Sequence, residues 1–252
     1  MQCNVKEPAA AAQTTSSPQL ALMNELDDAI ARGSPRRHAD MLMHITDLFV
    51  RDATRYADDQ IELFDDVLLR LAAPLESGAK SMLARRLAAL AQAPRKITRM
   101  LASDDDINVA GPILSRSERL DEETLVRNAR AKGEHHLLAI AQRKVLNEQV
   151  ADLLVERGNS VVLRSIADNA GAKLSEAGLT LLIKRCHGDD ALATIVGRRP
   201  DLPRHLFQDL LTNVSEFVRA KFAADNLPLQ FEFSAAEPHF LFVGDGAPLL
   251  AA

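Results

Sequence analysis

The chain has 252 residues, of which 47% are hydrophobic and 26% charged, with a net charge of −5 and a pI near 5.8. Two cysteines rule out a disulfide scaffold, while the acidic balance, 4% aromatics and absence of tryptophan argue against nucleic acid as the main partner. No apolar run approaches the ~20 residues of a membrane-spanning helix, and so few cysteines point to a reducing cytoplasm.

Residues 1–19 are rich in Ala, Thr, Ser and Pro and contain no apolar h-region, so they read as a disordered tail rather than a signal peptide. Residues 20–226 read as a helical body. Met41, Leu42, Ile45, Leu48 and Phe49 recur at helical spacing and predict one longer helix over 37–55. Leu63, Phe64, Val67, Leu68 and Leu71 form a second stripe. Met82, Leu83, Leu87 and Leu90 form a third, ended by Ala93-Pro94. A short helix over Ile97–Leu101 leads to the acidic cluster Asp104 to Asp106.

From there the chain repeats itself. Val109-Ala110-Gly111-Pro112-Ile113-Leu114 is echoed by His136-Leu137-Leu138-Ala139-Ile140-Ala141, by Val162-Leu163-Arg164-Ser165-Ile166-Ala167 and by Ala191-Leu192-Ala193-Thr194-Ile195-Val196. The isoleucines at 113, 140, 166 and 195 define the column, and a lone leucine follows each at 120, 146, 174 and 202. A near-constant period of this size marks stacked units that bury their apolar faces only against neighbours. Asp121, Asn147 and Ser175 follow the lone leucines as helix caps, each trailed by Glu, and Pro203 suits a first helical position. Each unit is therefore helix, turn, helix, with the leucine as a staple on the second helix.

These runs, with Leu154-Val155-Glu156-Arg157-Gly158 and Arg199-Pro200-Asp201-Leu202-Pro203, resemble the uncharacterised bacterial family called domain of unknown function 2336, which is HEAT-like. The resemblance spans roughly 37–225 and rests most on 104–203. It implies an α-helical solenoid in a bacterial cytoplasm and supplies no reaction and no functional residues. Beyond about residue 227 no matching pattern continues. There the composition shifts: seven of nine phenylalanines follow residue 200. The segment 227–252 reads either as an extension, disordered or loosely packed, or as a small hairpin across Ser234 to Pro238.

The remaining constellations have ordinary explanations. Glu134-His135-His136 and Cys186-His187 with Asp189 and Asp190 lack metal-ligand spacing, and His136 falls in the repeat's apolar column. The acidic pairs, including Asp58-Asp59 and Asp65-Asp66, read as helix-start residues. Arg116, Arg143 and Arg198, with Asn169, fall three residues after the column isoleucines and suit helix C-termini. The unbalanced stretch is Lys80, Arg85, Arg86, Arg95, Lys96 and Arg99, with no acid between, and it is the candidate surface for an acidic protein partner.

The expected fold is all-α: a right-handed HEAT-like α-solenoid of about six helix pairs with a divergent C-terminal extension. The expected role is a non-catalytic protein–protein interaction scaffold or adaptor, without metal, cofactor or catalytic residues, using the concave surface of its second helices. The alternative is a HEAT-like enzyme or nucleic-acid-processing protein of the alkylpurine glycosylase type. A third reading is a regulator whose Phe-rich tail covers the groove.

Overall fold

The structure, a computed structural model, describes residues 34–225. The N-terminal tail and the Phe-rich extension with its hairpin lie outside the described residues. The described residues are all-helical: α1 (Pro35–Asp52), α2 (Asp58–Ala72), α3 (Ser77–Leu87), α4 (Arg95–Ala102), α5 (Ile107–Arg116), α6 (Glu122–Ala131), α7 (Glu134–Ala141), α8 (Glu148–Arg157), α9 (Ser160–Asp168), α10 (Glu176–Arg185), α11 (Asp190–Gly197), α12 (Arg204–Asn213) and α13 (Glu216–Ala224).

Most of these helices have eight to eleven residues, too short to persist alone, so packing must hold them. Odd-numbered helices pack each on the next odd one, from α1 to α13. Even-numbered helices do the same from α2 to α12. The result is two rows, with the buried aliphatic core including Leu68, Leu87, Ile97, Leu101, Val109, Ile113, Leu154 and Leu182.

Caps set the register. Asp106, Gly133, Asn159 and Asp189 occupy the N-cap positions of α5, α7, α9 and α11. Counting the same seven residues from each reaches Ile113, Ile140, Ile166 and Val196, all fully buried. Ile195, the expected fourth member of the column, is only partly buried. The turn before α11 passes through Gly188 at φ 77° and delays its first residue, so residue type at 195 misleads where the cap does not.

The lone leucines Leu120, Leu146 and Leu174 are buried, and the caps Asp121, Asn147 and Ser175 accept the Thr124, Val150 and Gly178 amides. Successive units also touch through backbone. The Leu146 amide donates to Gly171 O (3.1 Å) and the Lys173 amide to Leu146 O (3.0 Å), forming an isolated bridge rather than a strand. A Cβ on Gly171 would collide with the Lys144 carbonyl oxygen, so this approach requires glycine.

Pro112 sits inside α5 and cannot donate to the Asn108 carbonyl one turn back. Ser81 Oγ, from α3, donates to Asn108 O instead (2.8 Å). The helix break implied by proline thus becomes a tie between neighbouring units.

Candidate functional site

The six cations singled out by their sequence density are divided between the rows. Lys80, Arg85 and Arg86 lie on α3, and Arg95, Lys96 and Arg99 on α4. Arg85 and Arg86 face solvent, as their position off the α3 stripe predicts. Four of the six meet carboxylates. Lys80 faces Asp104 (3.8 Å), Arg86 pairs with Asp47 of α1, Lys96 Nζ reaches Asp66 (2.7 Å) and Glu62 (3.2 Å) of α2, and Arg99 pairs with Asp121. Arg85 and Arg95 have no ion-pair partner among the described residues. The acids absent from this stretch of sequence are supplied by other helices.

Cations at the start of α4 look misplaced against the helix dipole, and the structure supplies the compensation. Asp65, in mid-α2 and almost wholly buried, accepts the Lys96 amide (2.7 Å) and the Ile97 amide (2.8 Å). It acts as the N-cap that Pro94 cannot provide. Burial pushes its carboxyl above the ordinary aspartate range, against the two amides that favour the anion. Asp65-Asp66 therefore does not begin a helix, as its sequence suggests. It serves the next even-row helix.

The metal-like clusters dissolve on inspection. His136 is buried, with Nε2 3.0 Å from Asp104 O. Cys186 Sγ donates to Leu182 O (3.3 Å), and burial pushes its thiol up to about 12. Among the described residues no three of His, Cys, Asp and Glu converge on a site for a metal ion.

A second set of polar residues ties unit to unit. Arg143 donates from Nη1 to Leu114 O (2.7 Å) and from Nη2 to Ser117 O (2.8 Å), at the end of α5. Asn169 Nδ2 donates to Ala141 O (2.8 Å) and Arg143 O (2.7 Å), at the end of α7. Arg199 reaches Ile166 O, Ala167 O, Asn169 O and Ala172 O at 2.8–3.3 Å, at the end of α9, while Asp201 grips it through both oxygens. Each side chain satisfies C-terminal carbonyls of the preceding odd-row helix. The column expected at 116, 143, 169 and 198 is occupied in its last unit by Arg199, while Arg198 pairs at the surface with Asp225 (2.5 Å). The Arg199-Pro200-Asp201 run is thus a structural clamp.

Three adjoining clefts of about 660, 570 and 530 Å3 follow the odd row. They share Gln142, and none of their lining residues belongs to an even-numbered helix. These three clefts accompany the first helices of the units. Their walls carry Arg85, Arg116, Arg143, Lys144 and Arg164 against only Glu118 and Asp168. Arg164 is held by Asp189 (2.8 Å). Arg85, Arg116 and Lys144 have no ion-pair partner among the described residues. Arg143 lies beneath, bonded to neutral carbonyls only. Burial lowers its pKa and Glu118 acts in the opposite direction. A cluster of five cations on a chain of charge −5 is a local reversal of sign. The sequence conceals it, because these residues are spread from 85 to 164.

Over the described residues, fold and site define a helical protein of two helix rows with basic clefts along one of them. The chain belongs to the family described as an uncharacterised protein conserved in bacteria (DUF2336), whose model matches residues 109–235. The match takes in the four repeated segments and extends past residue 225, while α1 to α4 precede it. No curated protein and no solved structure matches the chain. Among the described residues no helix is long and apolar enough to cross a membrane.

Proposed function

We propose that the protein is a non-catalytic scaffold that holds a protein partner along the odd-row cleft, in the cytoplasm. The two rows are read as a HEAT-like solenoid of six helix pairs closed by α13. The observation that carries the reading is the line of adjoining basic clefts across α3, α5, α7 and α9. A surface built from successive repeats suits an elongated ligand, since each unit adds a similar stretch of contact. Of the sequence-dense cations, Arg85 takes part directly. Lys80, Arg86, Lys96 and Arg99 share their charges with carboxylates of neighbouring helices, and Arg95 has no ion-pair partner among the described residues, so these five are left outside the proposed surface.

The test is a photo-crosslinking amino acid at Ser115 or Gln142, in the cleft, and at Gln149 on α8 as control, with the full chain expressed in its own bacterium. A protein crosslinked from both cleft positions and not from Gln149 supports the scaffold. No cleft-specific protein adduct, with a stoichiometric small molecule retained by the purified chain in native mass spectrometry, overturns it in favour of an enzyme.

A further inference from the structure

The cleft cations are not needed by the helices that carry them. Arg116 ends α5 and Lys144 follows α7, where a cation ordinarily offsets the helix dipole and bonds the free carbonyls. Here that work falls to the next unit: Arg143 serves the α5 terminus and Asn169 the α7 terminus. Arg116 and Lys144 are left exposed, as is Arg85 near the end of α3. Arg85 and Arg116 stand on successive odd-row helices and Lys144 in the turn after the next, and none has an ion-pair partner among the described residues.

Between Arg85 and Arg116 the cleft carries no carboxylate, while Glu118 stands in the cleft that Arg116 and Lys144 share. Gly111, Pro112, Leu138 and Ala139 line the cleft between Arg85 and Arg116, and Ala88, Ala89 and Val145 line the adjoining one. Val145 is 70% exposed. Neither cleft carries a Phe, Tyr or Trp side chain, and one imidazole, His135, is the single ring on which a base could stack. Cations separated by small apolar side chains match a peptide better than a nucleic acid, whose phosphates demand unbroken positive charge.

The spacing selects the form of the peptide. Packed helices lie roughly 8–10 Å apart. A polyproline II chain advances about 3.1 Å per residue with three residues per turn, so about three residues cross from one helix to the next and every third side chain returns to the same face. A helical ligand rises about 1.5 Å per residue and would need a carboxylate about every seven. Gly111 and Pro112 give a shallow floor that an extended backbone can follow.

Resting on the scaffold reading, we propose that the odd-row cleft binds an extended, polyproline II-like acidic segment of a partner protein, crossing α3, α5 and the turn after α7 with carboxylates about three residues apart on Arg85, Arg116 and Lys144.

The test uses the full chain and fluorescein-labelled peptides in fluorescence anisotropy. One peptide repeats Glu-Thr-Ser; a second replaces every Glu by Gln; a third has the same composition with its glutamates contiguous. The regular acidic peptide is expected to bind more tightly than both others, and more weakly as salt rises, because the contacts are exposed. Arg85→Glu, Arg116→Glu and Lys144→Glu are each expected to weaken it about fivefold, with unchanged circular dichroism, while Lys184→Glu on α10 leaves it unchanged. Equal binding of the Gln or contiguous peptide, indifference to all three reversals, or tighter binding of a single-stranded oligonucleotide would overturn the proposal. A crosslinked partner that meets Ser115 through a segment without carboxylates also overturns it and leaves the scaffold reading standing.

Discussion

Replacing Arg199 by alanine is expected to destabilise the protein by about 2–6 kcal/mol, chiefly by leaving two buried carbonyls without a donor. The side chain is only 4% exposed. Of the four carbonyls it reaches, Ile166 O and Asn169 O also receive backbone amides, from Asn169 and Ala172. Ala167 O and Ala172 O have Arg199 as their one recorded donor. Orphaning two buried acceptors costs about 1–3 kcal/mol each. Asp201, which is partly exposed, can recover water and softens the loss. Arg199→Lys keeps the charge but not the planar fork, so it recovers only part of the loss. Arg198→Ala removes an exposed pair with Asp225 and is expected to cost under ~1 kcal/mol. Urea unfolding followed by circular dichroism measures the three variants. Because stacked units can unfold separately, hydrogen exchange should accompany it and show lost protection in α9 and α11 first. A loss below ~1 kcal/mol for Arg199→Ala, or equal losses at 198 and 199, would refute the clamp.

Three further outcomes follow from the same geometry. Ile166→Ala should cost about 2–5 kcal/mol by opening a cavity in a fully buried column, and in the last unit Val196→Thr, which replaces a buried methyl by a hydroxyl, should cost about 1–3 kcal/mol and more than Ile195→Thr; thermal melts check the order. Ser81→Ala should cost about 1 kcal/mol, since Asn108 O loses the donor that replaces Pro112's missing amide, and Ser81→Thr should recover part of it in the same assay. The bonded Asn108 amide holds the Asp106 carboxyl below the ordinary aspartate range, so its charge stabilises the fold above that range and loses this effect as pH falls through the depressed value; the stability gap between the native chain and Asp106→Asn should therefore narrow on acidification, as read by denaturant midpoints at neutral and strongly acidic pH.

Helices, caps and the repeat were legible in the sequence because each depends on neighbours along the chain. The apolar stripe in Val162, Leu163, Ile166 and Ala167 fixes which face of α9 is buried, and Asp121, Asn147 and Ser175 announce the next helix. The fourth unit shows where this ends. Isoleucine at 195 attracts the eye, but the Asp189 cap and the Gly188 turn place Val196 inward, one position later than the isoleucine pattern indicates.

What only the tertiary structure decided is which charges meet. Asp65 caps a helix about thirty residues away, and Asp47, Asp104 and Asp121 neutralise cations that look unopposed in the chain. Conversely Arg85, Arg116 and Lys144 are scattered in sequence, yet stacking sets them on or just past successive helices of one row. The reason is physical. Secondary structure answers to hydrogen bonds and apolar spacing within a few residues, whereas electrostatic balance is settled over several ångströms in space, between units whose order along the row only folding establishes.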